Sequence, residues 1–197
     1  MSDTPAWLVV KANEYARHHN KTPFVVYQAA YSVVQRDIER DILPMCRHEG
    51  LALTLWNVLA GGHIRTDEEE ERRRQTGEKG RAVMGPWERT PDERKVCAAL
   101  EVVAKQVGAK SITSGKAFWI QFGYESTHLD TSVAIAYTMH KAPYVFPIVG
   151  GRKVEHLLAN IEALSVRLSD EQIAYIEGIL PFDKGFPNNI IVSVLKL

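Results

Sequence analysis

Apolar positions along the chain fall into two patterns. Short, continuous, β-branched-rich runs cover Phe24 to Tyr31, Leu51 to Trp56 and Tyr144 to Val149, and these predict buried strands. Between them lie longer stretches with helical spacing. Ser2 or Thr4 caps a predicted helix from Pro5 to about His18, with proline in its first turn. Asn20 to Thr22 is a break. Arg36 to His48 reads as an amphipathic helix stopped by Gly50. Pro44 inside it is expected to cost an internal hydrogen bond or to produce a kink. Thr90-Pro91-Asp92-Glu93 is a capping box that opens a helix to about Val107. Further helices are predicted over Val133 to Lys141 and Val154 to Leu164. Ser169 with Gln172 forms a second capping box, opening a helix to about Ile179. Strands alternating with helices predict three parallel strands with right-handed crossovers and helices on one outer side. No internal repeat is visible.

Length changes the picture more than composition does. The 197 residues suffice for one domain with a sizeable core, but fall short of the roughly 250 of a complete (β/α)8 barrel. Lys plus Arg equals Asp plus Glu at 24 each, so the formal charge is zero and nothing points to nucleic acid or an anionic membrane as partner. Cys46 and Cys97 lie on helical patterns outside any motif, and read as small buried hydrophobes of a reducing compartment. No apolar run reaches the roughly 18 residues of a membrane span, and the amino terminus is polar. The expected setting is cytoplasmic, without a membrane. The histidines show no metal-binding spacing.

Three segments carry candidate chemistry. A strand ends at Gly150-Gly151 and feeds a helix start through Arg152 and Lys153. Backbone N–H groups at such a junction approach an anion closely, and the basic pair adds charge there. The alternative is a helix-entry turn that happens to carry two basic residues. Trp56 ends another strand and is followed by Asn57, Val58, Leu59, Ala60, Gly61 and Gly62. A lone tryptophan there is core packing; the small residues after it suit a loop that wraps phosphates. In Thr66 to Arg74, Glu68, Glu69 and Glu70 precede Arg72, Arg73 and Arg74 by four, which predicts ion pairs on a solvated surface helix. Arg65 is then the only basic residue near the loop considered for phosphate contact.

Taken together, MSDTPAW (Met1 to Trp7), PFVVYQAAYSVVQRDIERDILPMCRHEGLAL (Pro23 to Leu53), LWNVLAGG (Leu55 to Gly62), PIVGGRKVEHLLANIEAL from Pro147 and PFDKGFPNN (Pro181 to Asn189) resemble the carboxy-terminal half of an aldo-keto reductase. The likeness is greatest to the fungal aryl-alcohol dehydrogenase group, which includes norsolorinic-acid-reductase-like enzymes. It covers nearly the whole chain except about Gly115 to Thr131 and the last few residues. The resemblance implies an α/β fold, a partial (β/α)8 TIM barrel made of the last three strand-helix units and a carboxy-terminal helix. One partial domain then spans 1–197, with an atypical insertion at about 115–131. That insertion is expected to be an unspliced intron translated in frame rather than an evolved lid.

The resemblance also implies a cofactor site. Ser2, Asp3 and Gln28 match residues that hydrogen-bond a nicotinamide carboxamide. Alternatively, Ser2 and Asp3 only cap a helix, and Gln28 makes a structural hydrogen bond. Trp56 matches an aromatic that stacks on the nicotinamide, and Asn57 to Gly62 match the pyrophosphate loop, although relatives often have Ser-Pro at Asn57-Val58. Gly150, Gly151, Arg152, Lys153, His156 and Asn160 match the segment for the 2′-phosphate and adenine. Many relatives carry lysine at Gly150 and arginine at His156; Arg152 and Lys153 would substitute as the clamp, favouring NADP over NAD. The family's catalytic Asp, Tyr, Lys and His come from the first four strand-helix units. The tyrosines here, Tyr15, Tyr27, Tyr31, Tyr124, Tyr137, Tyr144 and Tyr175, lack that context, so no catalytic residue is assigned. The expected function is NADP(H)-dependent interconversion of a carbonyl and an alcohol on a small aldehyde, ketone or alcohol, in fungal secondary metabolism, with this chain truncated and inactive by itself. The alternatives are a non-catalytic half-barrel that binds a dinucleotide or a partner, including a homodimer through exposed strand edges, and a gene-model fragment.

Overall fold

The computed structural model describes residues 1–78, 86–108, 129–151 and 154–191. Three strands, β1 (Val26–Ala30), β2 (Ala52–Trp56) and β3 (Val145–Pro147), form one sheet in the order β1-β2-β3, with both pairings parallel. The helices are α1 (Ala6–His18), α2 (Ile42–Glu49), α3 (Asp67–Thr76), α4 (Pro91–Gln106), α5 (Leu129–His140), α6 (Val154–Glu162), α7 (Asp170–Ile179) and α8 (Asn188–Ile191). Every predicted strand is present, and both capping boxes form with reciprocal bonds, Thr90 with Glu93 and Ser169 with Gln172.

Strand alternation separates two faces of the sheet. Tyr27, Ala29, Leu53 and Leu55 are buried under the helices. Burying each leucine contributes about 1.5–3 kcal/mol. The other face carries Gln28, Thr54 and Phe146 in one register row, and Ala30 beside Trp56 in the next. Its residues are half-buried or exposed. This open face corresponds to the lumen side of a closed barrel.

Two predictions about helices are corrected. Neither Ser2 nor Thr4 caps α1; the N-cap is Pro5, without a side-chain cap bond. Residues 1–3 instead lie along the outer edge of β1. The Met1 amino group donates to Val26 O (3.0 Å), Gln28 N–H to Met1 O (2.8 Å) and Asp3 N–H to Gln28 O (3.0 Å). Thr4 is held by Tyr27, whose hydroxyl accepts from Thr4 N–H at 2.8 Å and donates to Thr4 O at 2.6 Å. The stretch from Arg36 is not one helix. A 3-10 turn at Asp37–Glu39 precedes α2, and Asp41, at φ −142°, separates them. Pro44 therefore sits in the first turn of α2, where its missing N–H has no intrahelical carbonyl to lose. Gly50 ends α2 at φ +71° as predicted, and its N–H donates to Cys46 O.

A polar network ties the end of β1 to the later helices. The Tyr31 hydroxyl donates to Glu39 at 2.6 Å, and Arg36 donates to both Glu39 oxygens at 2.8 and 3.0 Å. Arg36 also lies 3.2 Å from Glu177 on α7, which accepts from Tyr137 of α5 at 2.9 Å. Burial, then the neighbouring tyrosine and glutamate, push the Tyr31 hydroxyl well above its ordinary pKa, so it remains a donor at any usable pH.

Candidate functional site

Parallel strands of this kind present their ligands at their carboxyl ends. At that end, Ser2 pairs with Gln28 across the β1 edge. The Ser2 hydroxyl lies 2.9 Å from Asp3 Oδ2 and 3.3 Å from Gln28 Oε1, so a single hydroxyl proton faces two acceptors. The Gln28 amide N–H2 meets no acceptor among the described residues. Gln28 thus leaves an amide donor and Asp3 a carboxylate acceptor side by side, a pair complementary to an amide group. Trp56, one register row further on, lies half-buried on the same open face.

The chain turns sharply after Trp56. Asn57 (φ +60°), Ala60 (φ +49°), Gly61 (φ +64°) and Gly62 (φ +93°) all adopt left-handed backbone. Alanine there carries strain of roughly 1–2 kcal/mol, and such strain concentrates at functional loops. The surroundings hold it in place. Asn57 donates to Gln35 at 3.1 Å, and His63 lies 2.8 Å from Glu93 at the start of α4. The N–H groups of Val58 and Leu59 donate to nothing among the described residues. The Val58 side chain is buried, so its contribution is its backbone. Added Cβ atoms on Gly61 and Gly62 would meet nothing closer than 3.9 and 3.7 Å, so the surface above the turn is open.

The acidic-basic run after the turn forms the helix expected from its spacing, with most of its residues exposed, but two of its carboxylates turn inward. Glu69 and Glu70 on α3 are 5% and 1% exposed, and Arg65 is 3% exposed. Glu70 accepts from Arg65 at 3.0 Å, from Arg89 at 2.5 Å and from Arg94. Burial alone would raise the pKa of Glu70, but the Arg89 hydrogen bond and the charges of Arg89, Arg65 and Arg94 prevail and hold it at about 2. Glu69 likewise sits at about 2: burial is outweighed by its bonds from Arg72 and Arg73. The spacing missed this because the partners Arg65, Arg89 and Arg94 lie outside α3 and close over its acidic side. Arg65 is accordingly no phosphate contact. Its guanidinium donates to Gly62 O (2.8 Å), Glu70 (3.0 Å) and Trp87 O (2.5 Å), all within the protein.

Arg73 is the cation the sequence reading passed over. Its Nη1 lies 3.7 Å from where a Cβ on Gly62 would stand, and Glu69 holds its Nε at 2.6 Å. The i,i+4 pairing of Glu69 with Arg73 was the available signal; what it hid was the glycine turn beside it.

At the third strand end, Gly151 is required by packing. A Cβ there would stand 2.7 Å from His156 Cβ, inside any real contact distance. Gly150 faces open space, His156 is half-buried and Asn160 is buried on α6. Arg152 and Lys153 lie outside the described residues, as do residues 115–128 of the expected insertion. Among the described residues no cluster of His, Cys, Asp and Glu is arranged to hold a metal ion, and no helix is long and apolar enough to cross a membrane.

A model of the aldo/keto reductase family matches residues 1–120 and 129–181. The interruption falls within the segment expected to be inserted. An aryl-alcohol dehydrogenase [NADP(+)] of Phanerodontia chrysosporium is 56% identical over 189 residues, which is 95% of this chain and 44% of that protein. Norsolorinic acid reductase A of Aspergillus parasiticus is 47% identical over 191 residues, covering 97% of this chain and 42% of that protein. The solved thermostable aldo-keto reductase Tm1743 superposes with a TM-score of 0.56 at 22% identity, over 90% of this chain and 46% of that one. The chain thus spans less than half the length of each of these three proteins.

Proposed function

The chain belongs to the aldo/keto reductase family, and from that premise we propose that it forms the dinucleotide-binding part of an NADP(H)-dependent reductase of the aryl-alcohol dehydrogenase type. The observation that carries this reading is the convergence of Ser2, Asp3, Gln28, Trp56 and the N–H groups after Trp56 at one end of one parallel sheet. Bound NADPH supplies a hydride to a carbonyl carbon. The chain's own residues bind and orient. Gln28 and Asp3 satisfy the carboxamide, and Trp56 covers one ring face and excludes water from it. Val58 and Leu59 donate to the pyrophosphate, with Arg73 beside Gly62 at the end of the turn. Gly150 to Asn160, through Arg152 and Lys153, receive the adenosine 2′-phosphate. The substrate is a small aldehyde or ketone, of the aryl or polyketide type suggested by the relatives' names. We assign none of the described residues to supply the proton to the carbonyl oxygen, so the chain alone is expected to be inactive.

Titration of the full chain with NADPH and with NADH, followed by cofactor fluorescence, tests the reading. Replacing Arg152 and Lys153 together by Ala is expected to cost NADPH about 3–6 kcal/mol, from two charge-assisted hydrogen bonds, and NADH little. Equal weakening of both would mean that the pair only shapes the turn, and absence of any dinucleotide binding would overturn the reading. Robust NADPH oxidation by the chain with benzaldehyde-type substrates would overturn the assignment of inactivity.

A second reading, a non-catalytic half-barrel that dimerises, is favoured by the open sheet face and by the exposed Tyr144, Phe146 and Ile148 around β3. Sedimentation of the full chain over a concentration series distinguishes it: a monomer at every concentration removes this reading.

A further inference from the structure

The geometry assigns Arg65 and Glu70 a positioning role: together they form an internal tie that sets the shape of the Asn57–Gly62 turn, and so the direction of the donors it offers to a dinucleotide pyrophosphate. This rests on the dinucleotide reading above. Arg65 donates to Gly62 O at 2.8 Å and to Glu70 at 3.0 Å, so the last residue of the left-handed turn is fixed to a carboxylate on α3. Arg89 closes the other side, donating to Arg65 O at 2.5 Å and to Glu70 at 2.5 Å. Glu70 thus holds the arginine that grips Gly62 and the arginine that grips the backbone of Arg65. The turn needs such a tie. Left-handed backbone at Asn57 and Ala60 is unfavourable for non-glycine residues and persists only where the surroundings over-determine it. Arg65 is 3% exposed and its Nε is buried without a partner, so its charge faces the protein interior rather than a ligand.

A direct phosphate ligand and an internal tie give different results. In the full chain, Arg65→Met keeps the apolar stem and leaves Glu70 paired with Arg89 and Arg94. Glu70→Gln keeps the shape and removes the charge. Hydrogen exchange of the Ala60, Gly62, His63 and Ile64 amides, which are hydrogen-bonded within the turn, is expected to accelerate about tenfold or more in Arg65→Met, while β1 and β2 keep their protection. NADPH affinity is expected to fall about tenfold, the equivalent of losing one charge-assisted hydrogen bond. Adenosine 2′,5′-bisphosphate, which lacks the pyrophosphate bridge, is expected to bind as in the parent chain. The double variant is expected to lose no more than the worse single one, because both changes cut one tie. Where Glu70→Gln does not fold, Arg65→Met alone decides. Unchanged exchange in the turn would overturn the tie, as would strictly additive losses in NADPH affinity. Accelerated exchange in a chain whose parent binds neither NADPH nor the bisphosphate would uphold the tie and overturn the dinucleotide reading instead.

Discussion

Acid should destabilise this protein chiefly through Glu69 and Glu70, the carboxylates with the largest depression. Both are held at a pKa of about 2, against an ordinary 4.5. The folded-state value is depressed, so the stabilisation is fully present above the unfolded pKa and is lost as pH falls through the folded one. The window therefore runs from about pH 5 down to about pH 2. Each pKa unit is worth 1.36 kcal/mol, so either carboxylate contributes about 3 kcal/mol at neutral pH. The side chains are 6% and 2% exposed, so solvent screening removes little of this. The two share α3 and a common set of arginines, so their sum is smaller than twice one. A marginally stable domain with about 5–15 kcal/mol in total should lose a large part of it by pH 3. Urea unfolding at pH 7, 5, 4 and 3, followed by far-ultraviolet circular dichroism, measures the slope. In Glu70→Gln the protein should be less stable at pH 7, because three arginines lose their shared carboxylate, and the fall between pH 5 and pH 3 should be shallower. A variant with the same acid slope as the parent would refute the assignment of that slope to the buried cluster.

Three further outcomes test the fold. Pro44→Ala should change stability by less than about 1 kcal/mol, because Pro44 lies in the first turn of α2; a gain near 3 kcal/mol in urea unfolding would mean that it breaks the helix after all. Gly151→Ala should destabilise by about 1–3 kcal/mol through the clash with His156, and should weaken adenosine 2′,5′-bisphosphate binding with it; a neutral thermal midpoint would show that the α6 entry yields freely. Tyr31→Phe should cost about 1–3 kcal/mol, because it leaves Glu39 without its 2.6 Å donor; an unchanged thermal midpoint would show that Arg36 alone satisfies that carboxylate.

The elements legible in the sequence were those fixed by local chemistry. Thr90 with Glu93 and Ser169 with Gln172 lie three residues apart, and each box closes within its own first turn. The three strand runs were legible because apolar, β-branched-rich stretches bounded by turn residues favour strands, but the burial expected for them holds on one face only: Tyr27, Ala29, Leu53 and Leu55 are buried, while Phe146 of β3 is 58% exposed. Pro44 misled because its cost depends on where the helix begins. That start is set by Asp41 and the preceding 3-10 turn, which no periodicity marks. Ser2 and Thr4 misled for a related reason. Their residue types suit a cap, but the β1 edge and the Tyr27 hydroxyl compete for the same short segment and win.

The charged run shows where sequence reading runs out. Spacing within Thr66 to Arg74 correctly gave a helix with i,i+4 pairs, such as Arg73 with Glu69 at 2.6 Å. It could not give the direction in which the acidic side faces, because that depends on Arg65, Arg89 and Arg94, which α3 meets only in three dimensions. Once they are placed, the roles of the two basic candidates near the turn exchange. Arg65, nearest in sequence, spends its donors inward. Arg73, a full helical turn and more away, has its Nη1 beside Gly62. A buried carboxylate with several arginines is a weak source of stability compared with apolar packing, but removing one partner is costly. Such a cluster therefore acts mainly to define one geometry, and here the geometry it defines is that of the turn whose N–H groups follow Trp56.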